Sequence, residues 1–151
     1  QQIAQVSGRA GRAEKPGEVL IQTRHPEAAV IAALASGDRN AFYAAETEAR
    51  RDAGAPPFGR WAAIIVSSED QAEAQAAART IGTSAPNLPD MLILGPAAAP
   101  MALLRGRHRF RLLINAKRTA ELQKVLADWL GPLKFPQGVR VAIDIDPYSF
   151  V

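Results

Sequence analysis

The chain has 151 residues, with 18 Lys and Arg against 15 Asp and Glu and no cysteine. That length suits one domain, or one small domain with an attached piece, and 48% hydrophobic residues supply enough apolar surface for a core, which excludes global disorder. No run approaches the ~18 apolar residues of a membrane span, and the lack of Cys excludes disulfides, thiol catalysis and cysteine-ligated zinc within these residues.

The start, Gln1-Gln2-Ile3-Ala4-Gln5, is not a signal peptide. The first residue is not Met, so a fragment or a processed chain is expected. Residues 1–12 are helix formers up to Gly8 and Gly11, and Lys15-Pro16-Gly17 is a turn. The run EVLIQT, residues 18–23, fits a buried strand ended by Arg24-His25-Pro26. Pro26 opens an Ala-rich helix to about Ala35, stopped by Ser36-Gly37. Asp38 or Asn40 can cap the next helix, about Arg39–Ala53. Gly54-Ala55-Pro56-Pro57-Phe58-Gly59 is the clearest boundary, because paired prolines continue neither a helix nor a central strand.

Beyond that boundary the pattern changes. Trp61–Ser67 reads as a strand. Ser68 is placed to cap a helix to about Gly82, with Ala74, Ala77, Ala78 and Ile81 on one face. Met91–Leu94 is a short strand, 95–107 a Pro/Ala/Arg loop and His108–Asn115 a strand. Arg118–Leu130 is a helix with a Leu122, Val125, Leu126, Trp129, Leu130 stripe, and Val139–Ile145 is a last strand. Residues 58–151 therefore read β-α-β-β-α-β. This is an α+β, ferredoxin-like sandwich in which two helices cover one face of a four-stranded antiparallel sheet and the other face is open.

The charge is unevenly spread. Residues 105–118 hold Arg105, Arg107, Arg109, Arg111, Lys117 and Arg118 with no acidic residue, which is more than the formal +3 of the whole chain. In a strand, alternate residues share a face, so Arg105, Arg107, Arg109 and Arg111 form a ladder with steps of about 6.6 Å. Such a row is a phosphate track if the strand reaches back to Arg105. The same arginines could instead pair with Asp144 and Asp146 on a neighbouring C-terminal strand. Trp61 and Trp129 read as core or boundary residues and Tyr148 and Phe150 as a terminal clamp. With only His25 and His108 as histidines, no metal site is expected.

A second signal is Gln5-Val6-Ser7-Gly8-Arg9-Ala10-Gly11-Arg12. On a helix, Gln5, Arg9 and Arg12 fall at i, i+4 and i+7, on one face. Gly8 and Gly11 remove bulk beside them, at about 1 kcal/mol each in helix stability. Two guanidinium forks with a Gln suit the terminal oxygens of a triphosphate. No G-x-x-x-x-G-K-[ST] phosphate loop occurs in the chain.

This octet resembles motif VI of the superfamily-2 helicases. Together with QVSGRAGRAEKPGEVLIQTRHPE, FYAAETEARRDAGAPPFGRWAAIIVS, LLRGRHRFRLLINAK and VAIDIDPYSF, in that order, the chain resembles the C-terminal part of the primosomal protein N′ (PriA) family of bacterial replication-restart helicases. The resemblance implies a remnant of a RecA-like helicase lobe over residues 1–35, a helical connector over 36–57, and over 58–151 a domain similar to a small ribosomal-subunit protein that binds DNA and partners. It implies an ATP-dependent 3′-5′ helicase as parent, with Gln5, Arg9 and Arg12 in its ATP site and Arg9 or Arg12 as arginine finger. ATP, Mg and structural Zn would be held by residues upstream, so the piece alone is expected to be inactive. DNA contact would fall to Arg105, Arg107, Arg109, Arg111 and Lys117. Arg118 and Gln123 would receive the acidic tail of the single-strand DNA-binding protein, an alternative role in which direct DNA contact is small. The implied partners are branched or single-stranded DNA, that protein and primosome proteins, with no membrane, in the bacterial cytoplasm at the nucleoid. A metabolite-sensing domain on the same fold has no polar pocket in the sequence to support it.

Overall fold

Alternation of small and branched apolar residues from Gly59 to Ser68 sets the centre of the molecule's sheet: Ala62, Ile64 and Val66 are fully buried on one face. The computed structural model describes residues 18–147, apart from the side chain of Arg39. The chain divides into two units, Gln1–Ala49 and Arg50–Val151.

In the first unit the regular structure among the described residues is helical. α1 is Ala29–Ser36, closed by Gly37 in the left-handed region (φ 71°), whose N–H donates to the Leu34 carbonyl. α2 begins at Arg39 and runs to Asp52. Its cap is Asp38, whose Oδ1 accepts from the N–H groups of Asn40 (2.9 Å) and Ala41 (3.0 Å). The expected strand over residues 18–23 does not form: the segment has no regular structure and Leu20 is exposed. A strand exists only by pairing its N–H and C=O groups with a neighbour, and no described segment pairs with this one. Of the expected helicase-lobe remnant over residues 1–35, residues 1–17 lie outside the described residues.

In the second unit, α2 ends in a Schellman-type cap, with Ala55 N–H donating to Arg50 O and Gly54 N–H to Arg51 O. There follow β1 (Gly59–Ser68), α3 (Gln71–Thr83), β2 (Met91–Leu104), β3 (Arg107–Lys117), α4 (Leu122–Leu130) and β4 (Arg140–Ile145). The sheet order is β2-β3-β1-β4, and every neighbouring pair is antiparallel. This α+β arrangement is compatible with the ferredoxin-like sandwich expected from the sequence.

Ala77, Ala78 and Ile81 of α3 and Leu122, Leu126 and Trp129 of α4 pack with Ala62, Ile64, Val66, Leu112, Ile114 and Ala116 of β1 and β3 in one core. Both helices therefore cover the same face. The small alanines let α3 approach the sheet closely, and Trp129 Nε1 donates to Ser84 Oγ at 3.1 Å, tying α4 to the end of α3. Trp129 is thus a core residue with its polar atom satisfied.

Three local expectations change. The α3 cap is Asp70, accepting from Ala72 N–H (2.7 Å) and Glu73 N–H (3.1 Å). Ser68 lies earlier, almost fully buried, and donates to Glu73 Oε2. Helix α4 starts at Leu122 and not at Arg118, because residues 118–121 are taken up by a turn in which Ala120 N–H reaches Lys117 O. The expected loop over 95–107 is mostly strand. Pro96 and Pro100 are tolerated because β2 is an edge, where a missing N–H on the outer side breaks no ladder. They coincide with two register irregularities, between Leu94/Ala97 and Ala98/Leu103. At the first, Gly95 (φ 106°) passes so close to Arg111 O that a Cβ there would lie 2.8 Å from it.

Candidate nucleic-acid interface

The strand register assigns the sheet's second face. Leu92, Leu94 and Ala97 of β2 lie opposite Asn115, Leu113 and Arg111 of β3, which lie opposite Trp61, Ala63 and Ile65 of β1. Ala63, Ile65 and Ser67 in turn face Asp144, Ala142 and Arg140 of β4. One end of this face is closed by the turn after α2, where Asn115 Nδ2 donates to Ala53 O at 3.1 Å. The middle is apolar, and the other end is basic.

The arginine ladder changes when built into this register. Arg107, Arg109 and Arg111 do alternate onto the second face of β3. Arg105 does not join them: β3 begins at Arg107, and Arg105-Gly106 is the two-residue turn of the β2–β3 hairpin, with φ of 51° and 74°. Positive φ at both positions is the requirement of a type I′ connection, whose twist matches that of the strands. The cation of Arg105 therefore stands at the hairpin tip.

Arg107 is held by the protein itself. Its Nη2 donates to the Ser67 carbonyl (3.0 Å) and to the Gly138 carbonyl, its Nε lies 3.5 Å from Ser67 Oγ, and its Nη1 pairs with Glu69 (3.4 Å). With its side chain only 16% exposed, it clamps the start of β3 to the end of β1 and the loop before β4. Arg109 is different. It sits opposite Ser67, and on the other side of Ser67 sits Arg140 of β4. Two strand spacings put these Cα atoms about 10 Å apart, and neither guanidinium has an ion pair among the described residues. Arg111 lies one step further along, between Ala97 and Ile65. Arg140 was not among the sequence candidates. It carries a period-2 signal, but only the order β3-β1-β4 brings it beside Arg109.

Of the two acidic residues considered as alternative partners, Asp144 stands opposite Ala63, in the row of Leu113, one row beyond Arg111 and two beyond Arg109. Asp146 instead accepts from Arg60 Nη2 (3.3 Å) and from Trp61 N–H (3.0 Å), locking the end of β4 to the start of β1. Gln123 Oε1 accepts from Arg60 Nη1 at 3.0 Å, so this sequence-assigned partner residue belongs to the same network. Arg118 is exposed in the turn before α4. Lys117, at the far end of β3 about 20 Å from Arg111, pairs with Asp90 at 2.6 Å. Gln5, Arg9 and Arg12 lie outside the described residues. Among the described residues no group of three or more His, Asp or Glu could hold a metal, and no helix is long and apolar enough to cross a membrane.

A basic corner at the end of an apolar sheet face can bind polyanions: guanidinium forks match phosphate oxygens, and the flat apolar strip accepts rings or aliphatic groups. Comparison with known proteins gives this geometry a context. The chain is similar to the replication restart protein PriA of Rickettsia conorii (39% identical over 150 residues), of Bacillus subtilis (37% over 156) and of Haemophilus influenzae (31% over 150). The matches cover 99%, 100% and 97% of the chain and 23%, 19% and 20% of those relatives, so it corresponds to about a fifth to a quarter of their length. Residues 51–148, which take in the whole described sheet and its two covering helices, match the family described as the primosomal protein N C-terminal domain. The chain belongs to that family.

Proposed function

We propose that the sheet unit binds DNA as part of a replication-restart helicase, with Arg109, Arg111 and Arg140 as its phosphate contacts and Arg105 reaching out from the hairpin tip. The observation that carries this reading is the placement of Arg109 and Arg140 on either side of Ser67 with no ion pair among the described residues, Arg109 lying in a stretch from Met91 to Ala120 that contains no Asp or Glu. Two guanidinium groups on Cα atoms about 10 Å apart repel each other weakly in water, and an anion placed between them is attracted by both. Arg107, tied to two carbonyls, contributes to the field and shapes the corner. In the longer protein, Gln5, Arg9 and Arg12 would serve ATP hydrolysis, with Mg and zinc held elsewhere in the sequence. The test is the salt dependence of DNA binding by the wild-type chain and by Arg109→Ala/Arg140→Ala. Loss of two phosphate contacts makes the slope of log K against log[salt] shallower by about two, and an unchanged slope rejects the assignment.

A second reading is supported by Arg118 and by the Arg60–Gln123 contact. Here the turn before α4 receives the acidic tail of the single-strand DNA-binding protein, with Arg60 exchanging Gln123 for a carboxylate. A labelled acidic peptide whose binding is lost in Arg118→Ala/Gln123→Ala but kept in Arg109→Ala/Arg140→Ala would establish this as a separate site.

A further inference from the structure

Strand order gives the sheet's second face two oppositely charged ends. One end is the row Arg109–Ser67–Arg140. Two rows further along β4 stands Asp144, about 13 Å from Arg140 along the strand. Asp144 is exposed and has no ion pair among the described residues. Between the two ends, β1 and β4 place Ile65, Ala142 and Ala63 on this face. The alanine side chains are short, so a shallow apolar floor runs along β1 and β4, beside the longer Leu113 of β3. The Ser67 hydroxyl, between the two arginine positions, has a proton of its own to donate.

A phosphate backbone alone does not account for this face, because Asp144 repels a polyanion lying along it. The same carboxylate offers two acceptor oxygens to a ligand that brings a pair of donors. The complementary ligand carries an anion at one end, an apolar body in the middle and paired N–H groups at the other end. Among the common nucleotides guanine presents that pair: its N1–H and its exocyclic amino group lie side by side on the Watson–Crick edge and match a carboxylate bidentately. Adenine has an acceptor where guanine has N1–H, and so does cytosine beside its amino group. We propose that the open face binds a free guanine mononucleotide, with the phosphate over Ser67 between Arg109 and Arg140, the sugar and ring along Ile65, Ala142 and Ala63, and the two base donors on Asp144. The site uses Arg109 and Arg140 as phosphate contacts and in that respect rests on the reading above, whereas Asp144 serves the nucleotide alone. A nucleotide seated there occupies the arginines assigned to DNA and competes with it.

The experiment is a calorimetric titration of the chain with GMP, AMP and inorganic phosphate. GMP is expected to bind about tenfold more tightly than AMP, the difference made by hydrogen bonds to a charged acceptor. Asp144→Ala removes that preference and keeps the AMP affinity. Asp144→Asn turns the preference towards XMP, whose ring carries an acceptor oxygen in place of the guanine amino group; a gained affinity cannot come from unfolding. Equal binding of GMP and AMP by the wild-type chain, or a GMP preference that survives Asp144→Ala, overturns the nucleotide site and leaves DNA binding by the arginines standing. Arg109→Ala/Arg140→Ala is expected to lose GMP, AMP and phosphate together, and unchanged nucleotide affinity in that variant overturns the site. Loss of nucleotide there with an unchanged DNA salt slope supports the nucleotide site and rejects the DNA reading alone. A thymidine oligomer carrying one guanine separates the free ligand from a strand: guanine-dependent binding of the oligomer without binding of GMP overturns the proposal.

Discussion

Residues of one chemical type in one strand have different tasks here, and their contacts distinguish them. Arg107 fills hydrogen-bond acceptors at the junction of β1, β3 and the loop before β4, whereas Arg109, two residues on, faces Arg140 across Ser67. Arg107→Ala leaves two carbonyls and Ser67 without a donor and is expected to destabilise the chain by about 1–3 kcal/mol, read from the urea midpoint. Arg109→Ala breaks no ion pair or hydrogen bond among the described residues and is expected to leave the midpoint within about 0.5 kcal/mol of wild type while weakening DNA binding. If the two variants behaved alike in both assays, the division of labour would be wrong. The sequence shows four arginines alternating; it does not show that the first of them lies in a turn and the second is occupied.

At the scale of elements, caps and edges account for where segments begin and end. Asp70 Oδ1 takes two otherwise unpaired N–H groups of α3, so Asp70→Ala is expected to cost about 1 kcal/mol, measured as a drop in melting temperature without change in DNA affinity. Ser68→Ala acts by a different route. It leaves Glu73 without the donor seen in the structure, and combining the two changes should be non-additive, because both act on the first turn of α3. The hairpin is the element with the largest consequence. Gly106 has φ 74° with open space around its missing Cβ, so Gly106→Val meets no steric neighbour yet carries the full left-handed backbone penalty of a branched residue. Weakened protection of the Leu104 amide, which belongs to the hydrogen-bonded pair next to the turn, with β1 unaffected, is the expected signature in hydrogen exchange. Equal protection in wild type and variant would mean that the turn does not set the hairpin.

At the scale of the whole molecule, the basic corner exists only because four segments distant in sequence are stacked in the order β2-β3-β1-β4. The chain corresponds to about a fifth to a quarter of its relatives' length and has no G-x-x-x-x-G-K-[ST] loop. It is therefore expected not to turn over ATP by itself in a phosphate-release assay, and turnover would show that Gln5, Arg9 and Arg12 are not half of a split site. The sequence by itself determined the order of elements, because period-2 and period-3.6 burial must be satisfied locally: the stripe Ala74, Ala77, Ala78, Ile81 and the alternation of β1 are visible without coordinates, as is the concentration of cations in 105–118. It misplaced the strand at 18–23 and the loop at 95–107 for related reasons, since whether an apolar run or a proline-containing run becomes a strand depends on what lies beside it. Tertiary structure alone decided which charges meet. Arg140 lies across Ser67 from Arg109, Asp144 stands two rows further along β4, and Asp146 goes to Arg60, because strand order and register set distances across a sheet and sequence separation does not.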